Sequence, residues 1–330
     1  VEDRVSASTR YFLGLETGGT KASAVVMDYE YNQLATREVA RPAGATAQDT
    51  ITQLIELGRA VQTDAGLENP PDAIGWGFGG PVNRRQNKPA YNFHESGWDQ
   101  LTTDSATQLQ ESLHAPVYVE NDCEVAGLAE AHLGAGSTEG LTFYMTLGSG
   151  VGGGIIWNGR ILTSGPLGEG EIGHMKVVPQ GAQCACGQLG CLEAYCSGWG
   201  VGERAMEAIN SLRDHTPLMD NIRNAEPRLR AKLLFAARSE DSFAQTQSEE
   251  FLNHLADACA NVGLLLAPKN FVIGGGLSQL PWLIDELAPR IQSRLPDLMR
   301  GHMDVKVAQL GSASVPCGAA LYASQRVAER

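Results

Sequence analysis

The chain has 330 residues with 43% hydrophobic and 19% charged side chains, the balance of a soluble globular protein of about two domains, which excludes global disorder. Its formal charge of −13 leaves no basic face for non-specific nucleic-acid or anionic-membrane binding. No apolar window approaches a membrane span, and the polar opening lacks a signal-peptide core, so a cytoplasmic location is expected.

In chain order, Tyr11–Leu15 and Ala22–Met27 read as a β-hairpin around Thr17-Gly18-Gly19-Thr20, with Gln33–Arg41 as a third strand. Thr46–Ala65 spaces Ile51, Leu54, Ile55, Leu57 and Val61 as an amphipathic helix. Ala73–Phe78 is a strand running into Gly79-Gly80-Pro81, and the polar stretch Asn83–Trp98 reads as a loop. Val117–Glu120 is strand-like, with Asn121-Asp122 capping a helix that ends at Gly134. The pattern then restarts: strand Leu141–Leu147, a glycine turn at Gly148-Ser149-Gly150, and a returning strand to Trp157. A helix over Phe251–Leu266, a strand over Asn270–Ile273 into Gly274-Gly275-Gly276, and helices over Pro281–Arg294 and Val315–Ala328 follow. Two strand–glycine turn–strand units predict duplication: two related α/β domains around a cleft. The basic cluster Arg223, Arg228, Arg230, Lys232 and Arg238 reads as a solvated helix face.

Three constellations carry chemistry. Glycine clusters at strand ends (Gly18-Gly19-Thr20-Lys21, Gly148-Ser149-Gly150, Gly274-Gly275-Gly276) let backbone N–H groups close around phosphate oxygens, with hydroxyls at Thr20 and Ser149. Each cluster alone is also what a tight turn needs, and neither common nucleotide fingerprint fits. His174, Cys184, Cys186 and Cys191 offer one imidazole and three thiolates at spacings of 10, 2 and 5, a set that fills a tetrahedral zinc shell. A disulfide or unligated thiols are the alternatives; an odd count of seven cysteines favours the metal. Asp122, at a strand end and a helix start, suits a general base, although such a residue is often only a cap.

In this order, Leu13–Lys21, Val119-Glu120-Asn121-Asp122, Gly170–Met175, the Cys184–Glu193 block and Ile273–Gly276 resemble the ROK-family sugar kinases, closest to the ATP-dependent glucokinases. The resemblance runs from about Phe12 to Tyr322 and implies two ribonuclease-H-like domains of the actin-like ATPase class. It implies domains at 1–122 and 123–314, a zinc loop at 174–191, and a C-terminal helix that packs back on the first domain. It makes Asp122 the catalytic base and gives sugar hydroxyls to Asn121, Glu171, His174 and Glu193. Phosphates fall to Gly18–Lys21 and Gly148–Gly150, and adenosine to Gly274–Gly276. ATP, Mg²⁺ and a structural Zn²⁺ are the implied cofactors, and a homodimer the implied assembly. Glu16 stands where most members have Asp, and Cys123-Glu124 where Ala-Asn is common. The implied reaction is phosphorylation of a hexose 6-hydroxyl, glucose first, with N-acetylhexosamine, mannose or fructose kinases as alternatives. A sugar-sensing repressor is the alternative of another class, and the acidic charge opposes it.

Overall fold

A computed structural model describes residues 10–19, 21–42, 44–90, 97–98, 101, 104–165, 168–213 and 216–329. The chain packs as two units. The first comprises the chain up to Gly134, Gly154–Glu169 and the segment from Leu310 onward; the second comprises Ala135–Gly153 and Gly170–Gln309.

The first unit is built on β1 (Tyr11–Thr17), β2 (Lys21–Asp28), β3 (Gln33–Ala40), β4 (Ala73–Phe78), the short pair β5 (Val82–Asn83) and β6 (Lys88–Pro89), and β7 (Val117–Asn121). Its five-stranded sheet runs β3-β2-β1-β4-β7. β1 is antiparallel to β2 and parallel to β4, which is parallel to β7. Every residue of β4 is buried, as expected of a central parallel strand covered on both faces. One face carries α1 (Ala47–Asp64) and α2 (Ser105–Leu113). Thr46 and Asp49 form a capping box at the start of α1, and Ile51, Leu54, Leu57 and Val61 are its buried stripe. The other face carries α3 (Asp122–Leu133) and the C-terminal helix Ser314–Ala328. That helix lies against bare backbone. A Cβ on Gly14 would fall 1.9 Å from the Pro316 carbonyl oxygen, and one on Gly75 1.8 Å from that of Ala319.

A second sheet repeats the plan. β8 (Leu141–Leu147), β9 (Val151–Trp157), β10 (Arg160–Ile161), β11 (Asn270–Gly274) and β12 (Asp304–Val307) run β10-β9-β8-β11-β12. β8, β11 and β12 are mutually parallel along the sheet, and β9 and β10 antiparallel. Numbered in chain order within each five-stranded sheet, both read 3-2-1-4-5. The chain passes from the second unit to the first inside β9. Six helices follow: α4 (Glu193–Cys196), α5 (Gly198–Ser211), α6 (Pro217–Asn224), α7 (Pro227–Ala236), α8 (Ser242–Leu266) and α9 (Leu283–Arg294). No described helix is long and apolar enough to cross a membrane.

Several expectations are corrected. The boundary after residue 122 cuts a packed element: α3 stays in the first unit because its residues Cys123–Ala131 are buried. Part of the polar stretch 83–98 is the β5–β6 hairpin, and Trp98 packs edge-on against Phe78 with ring centroids 5.0 Å apart; residues 91–96 lie outside the described residues. α8 begins at Ser242, since the Asp241 side chain accepts from the Phe243 and Ala244 N–H groups and caps a polar first turn that shows no apolar period. The basic cluster is no solvated face throughout. Arg228 and Lys232 are exposed, but Arg230 pairs with Glu203, and Arg238 pairs with Glu286 and lies over the Trp282 ring.

Candidate active site

In the first unit, Asn121 and Asp122 stand where β7 becomes α3. Asn121 is the N-cap: its Oδ1 accepts from the N–H of Cys123 at 2.9 Å and of Glu124 at 3.3 Å, and its Nδ2 donates to the Gly80 carbonyl at 3.1 Å. Asp122 is the first helical residue, and its Oδ1 accepts from the Cys123 N–H at 2.8 Å. The cap is therefore supplied by its neighbour, and Asp122 is not required for that task. Gly79, just past the end of β4, lies beside it: a Cβ there would meet Asp122 Oδ2 at 3.5 Å, an ordinary contact distance.

The β1–β2 turn is closed by Gly18 N–H donating to the Lys21 carbonyl at 2.9 Å. Arg41 reaches in from the end of β3 to donate to the Gly18 carbonyl at 2.7 Å, a support the sequence reading missed. Gly19 is exposed with open space at its missing Cβ, and Thr20 lies outside the described residues. Lys21 pairs with Glu38 at 2.6 Å. Glu16 accepts from the Ser23 hydroxyl, and burial pushes its carboxyl up to about 7, with the Asp122 charge a lesser cause in the same direction.

In the second unit, Gly148 N–H donates to the Gly150 carbonyl at 3.0 Å, and the Gly148 carbonyl accepts from Gly198 N–H at 2.8 Å. Glu193, the first residue of α4, accepts from the Val151 N–H at 2.9 Å, and a Cβ on Gly150 would lie 2.8 Å from its Oε2. The structure thus brings a carboxylate expected at the sugar together with a glycine turn expected at phosphates. Gly274 and Gly275 have packing reasons of their own. Their added Cβ atoms would lie 2.3 Å from the Tyr144 hydroxyl and 2.4 Å from the Leu147 carbonyl, and Gly275 has φ of +83°. Gly276 has open space and borders a cavity of about 790 Å³ lined by Phe235, Arg238, Gln245, Pro281 and Trp282 among others.

The ligand atoms of His174, Cys184, Cys186 and Cys191 lie within 4.8 Å of one another. The Cys186 and Cys191 sulfurs are 3.8 Å apart, and Cys184 Sγ is 3.8 Å from His174 Nδ1. Zn–S bonds of about 2.3 Å in a tetrahedron place sulfurs roughly 3.8 Å apart, so the donor set fits zinc. Burial pushes the Cys184 thiol up to about 12, which a bound dication reverses. Lys176 Nζ donates to Cys191 Sγ at 3.0 Å and offsets part of the thiolate charge. With Nδ1 turned to the cysteines, His174 Nε2 faces the exposed Glu171 carboxylate, 3.9 Å from Oε2.

The sequence reading also missed a buried ionic cluster beside Asp122. Arg84, from the β5–β6 hairpin, meets Glu120, Glu124 and Glu169. No local motif announces it.

Comparison with known proteins agrees with this arrangement. The ROK family, as a sequence profile, matches residues 12–326. The glucokinase of Streptomyces coelicolor is 32% identical over 316 residues, which cover 93% of this chain and 96% of that protein. The crystal structure of a ROK hexokinase from Thermus thermophilus superposes with a TM-score of 0.81 at 28% identity, covering 97% of this chain and 100% of that one. A ROK family glucokinase from Streptomyces griseus, solved in complex with glucose and AMPPNP, gives a TM-score of 0.76 at 29% identity over 96% and 99% of the two chains. The duplicated 3-2-1-4-5 sheets are the actin-like ATPase fold of these neighbours. The profile match spans nearly the whole length, and the chain belongs to the ROK family.

Proposed function

We propose that the protein is an ATP-dependent hexose kinase that phosphorylates the 6-hydroxyl, with glucose as its sugar. The observation that carries the reading is Asp122. It sits at a helix start that favours its ionised form, while Asn121 does the capping. Asp122 accepts the proton of the attacking hydroxyl as that oxygen meets the γ-phosphoryl group. Asn121, Glu171, His174 and Glu193 hold sugar hydroxyls. The backbone N–H groups of the turns at Gly18–Lys21 and Gly148–Gly150 bind phosphate oxygens, and the cavity beside Gly276 receives the adenosine. ATP enters as its Mg²⁺ complex, a substrate. Zinc would be held by His174, Cys184, Cys186 and Cys191, and would serve to fix the His174 ring with Nε2 turned away from the cysteines toward a sugar hydroxyl. Glu193 keeps its orientation through the Val151 N–H.

A homodimer in the cytoplasm belongs to the same reading. Coupled ATP turnover with glucose, mannose, fructose and the N-acetylhexosamines tests the function. Glucose is expected to give the highest kcat/KM. Preference for another sugar corrects the substrate, and no sugar-dependent turnover overturns the kinase reading in favour of a sugar-binding regulator.

A further inference from the structure

Arg84 uses all three guanidinium nitrogens on three separate segments. Nε donates to Glu120 Oε2 at 2.8 Å, at the end of β7. Nη2 donates to Glu124 Oε2, in the first turn of α3. Nη1 donates to Glu169 Oε2 at 2.5 Å and to the Gly165 carbonyl at 3.4 Å. Arg84 is 10% exposed, and Glu120 and Glu124 are 1% exposed. One buried cation against three carboxyls is a poor stabilising device, because desolvation offsets most of what the pairing gains. Burial first, and then Glu120, pushes the Glu124 carboxyl well up from its ordinary value, which lowers the excess charge of the cluster.

What the cluster does achieve is geometry. Glu120 Oε1 accepts the Asn121 N–H at 2.9 Å, and the Glu124 N–H is held by Asn121 Oδ1. Glu124 Oε1 accepts the Glu169 N–H at 3.2 Å. Three residues beyond Arg84, Asn87 donates to the Val117 carbonyl at 2.7 Å and accepts the Val119 N–H at 2.9 Å, satisfying the free edge of β7. The hairpin thus clamps the strand leading to Asp122, and one guanidinium fixes the residues two before and two after it.

Building on the kinase reading above, we propose that Arg84 is a positioning residue for phosphoryl transfer, holding the β7–α3 junction so that the Asp122 carboxylate keeps its place. Arg84→Lys retains the charge but cannot span three acceptors. Glu120→Gln removes one excess buried charge and keeps an oxygen for the Asn121 N–H, while its amide nitrogen opposes Arg84 Nε. Both are expected to fold, as judged by circular dichroism and thermal melting. A misplaced catalytic group is expected to cost roughly 10–100-fold in kcat, with KM for ATP within about twofold of wild type. A kcat unchanged in both folded variants, or a loss that only tracks the folded fraction, overturns the positioning role. Wild-type protein without sugar-dependent ATP turnover sinks this role together with the kinase reading; active wild type with unaffected variants sinks the arginine's role alone.

Discussion

On the proposed mechanism, replacing Asp122 with Asn separates catalysis from folding, because the helix cap falls to the adjacent Asn121. The capping hydrogen bonds of α3 belong to Asn121, whose side chain serves the Cys123 and Glu124 N–H groups and the Gly80 carbonyl. Asp122→Asn leaves all three in place and preserves an oxygen for the Cys123 N–H. It removes a negative charge at the helix N-terminus, worth about 0.3–1 kcal/mol. At roughly 2–4 °C per kcal/mol for a unit of this size, the melting temperature should fall by no more than about 4 °C. The amide cannot take a proton, so turnover should drop by about 10²–10⁴. At 1.36 kcal/mol per decade that is roughly 2.7–5.4 kcal/mol of transition-state stabilisation, several times the stability change. Asn121→Ala should show the opposite balance in stability, losing about 0.5–2 kcal/mol with the cap. Coupled ADP release with glucose, beside differential scanning calorimetry and glucose titration, measures every quantity. Near wild-type turnover in Asp122→Asn would make Asp122 an ordinary first-turn residue and refute the mechanism.

Elemental analysis of purified protein should find about one zinc per chain, and glucose affinity in folded Cys186→Ser should weaken roughly 10–100-fold if the metal orients His174. An unchanged glucose dissociation constant would leave zinc as a staple of the 174–191 loop. Gly75→Ala places a Cβ 1.8 Å from the Ala319 carbonyl oxygen, and overpacking of this kind should cost at least about 1–3 kcal/mol. An unaltered melting temperature would contradict the close approach of the C-terminal helix. Glu16, at about 7 in the fold against an ordinary 4.5, binds more protons folded than unfolded between those values, so its contribution to stability is lost as pH rises through that window. Urea midpoints from pH 4 to 8 should fall more steeply for wild type than for Glu16→Gln; equal slopes would mean that Glu16 ionises normally.

What could be read from the sequence is what is local. β4 and β8 coincide with the largely apolar runs 73–78 and 141–147, because a strand that is buried throughout, as β4 is, or mostly so, as β8 is, leaves no polar alternation to confuse the boundary. The apolar spacing of Ile51, Leu54, Leu57 and Val61 marked α1, and the Cys–His block and glycine turns were equally plain. The helices α2 and α5, of nine and fourteen residues, were missed as well; the other misses are short or non-local. β10 and β12 span two and four residues at sheet edges, and α4 has four. The β5–β6 hairpin has two residues per strand and is anchored by the Asn87 amide rather than by its own pattern. Arg84 meets partners 36, 40 and 85 residues away, separations at which no spacing rule operates. Nor could Asp122 be told from a cap until the Asn121 side chain was seen to occupy that role.

The duplicated sheets argue for a division of labour between the units. Glu16 and Lys21 flank the first hairpin turn; Thr146 and Val151 hold the same places about the second, so the charge is confined to the first copy. The fifth strand of the first sheet ends in Asn121, and Asp122 opens the helix that follows. Its counterpart β12 ends at Val307, followed by Ala308 and Gln309 with no carboxylate. Glu171, His174 and Glu193 stand on none of these equivalent strand ends; they belong to the long segment between β10 and β11, which the first unit lacks. On the proposed mechanism, the proton acceptor Asp122 and one sugar ligand, Asn121, stand in the first copy, and the remaining sugar ligands lie in the added segment of the second. Substitution of Asp122 should therefore lower kcat, while substitutions of Glu171, His174 and Glu193 should raise the KM for sugar. A set of variants that failed to separate in this way would mean that the two copies do not divide the chemistry.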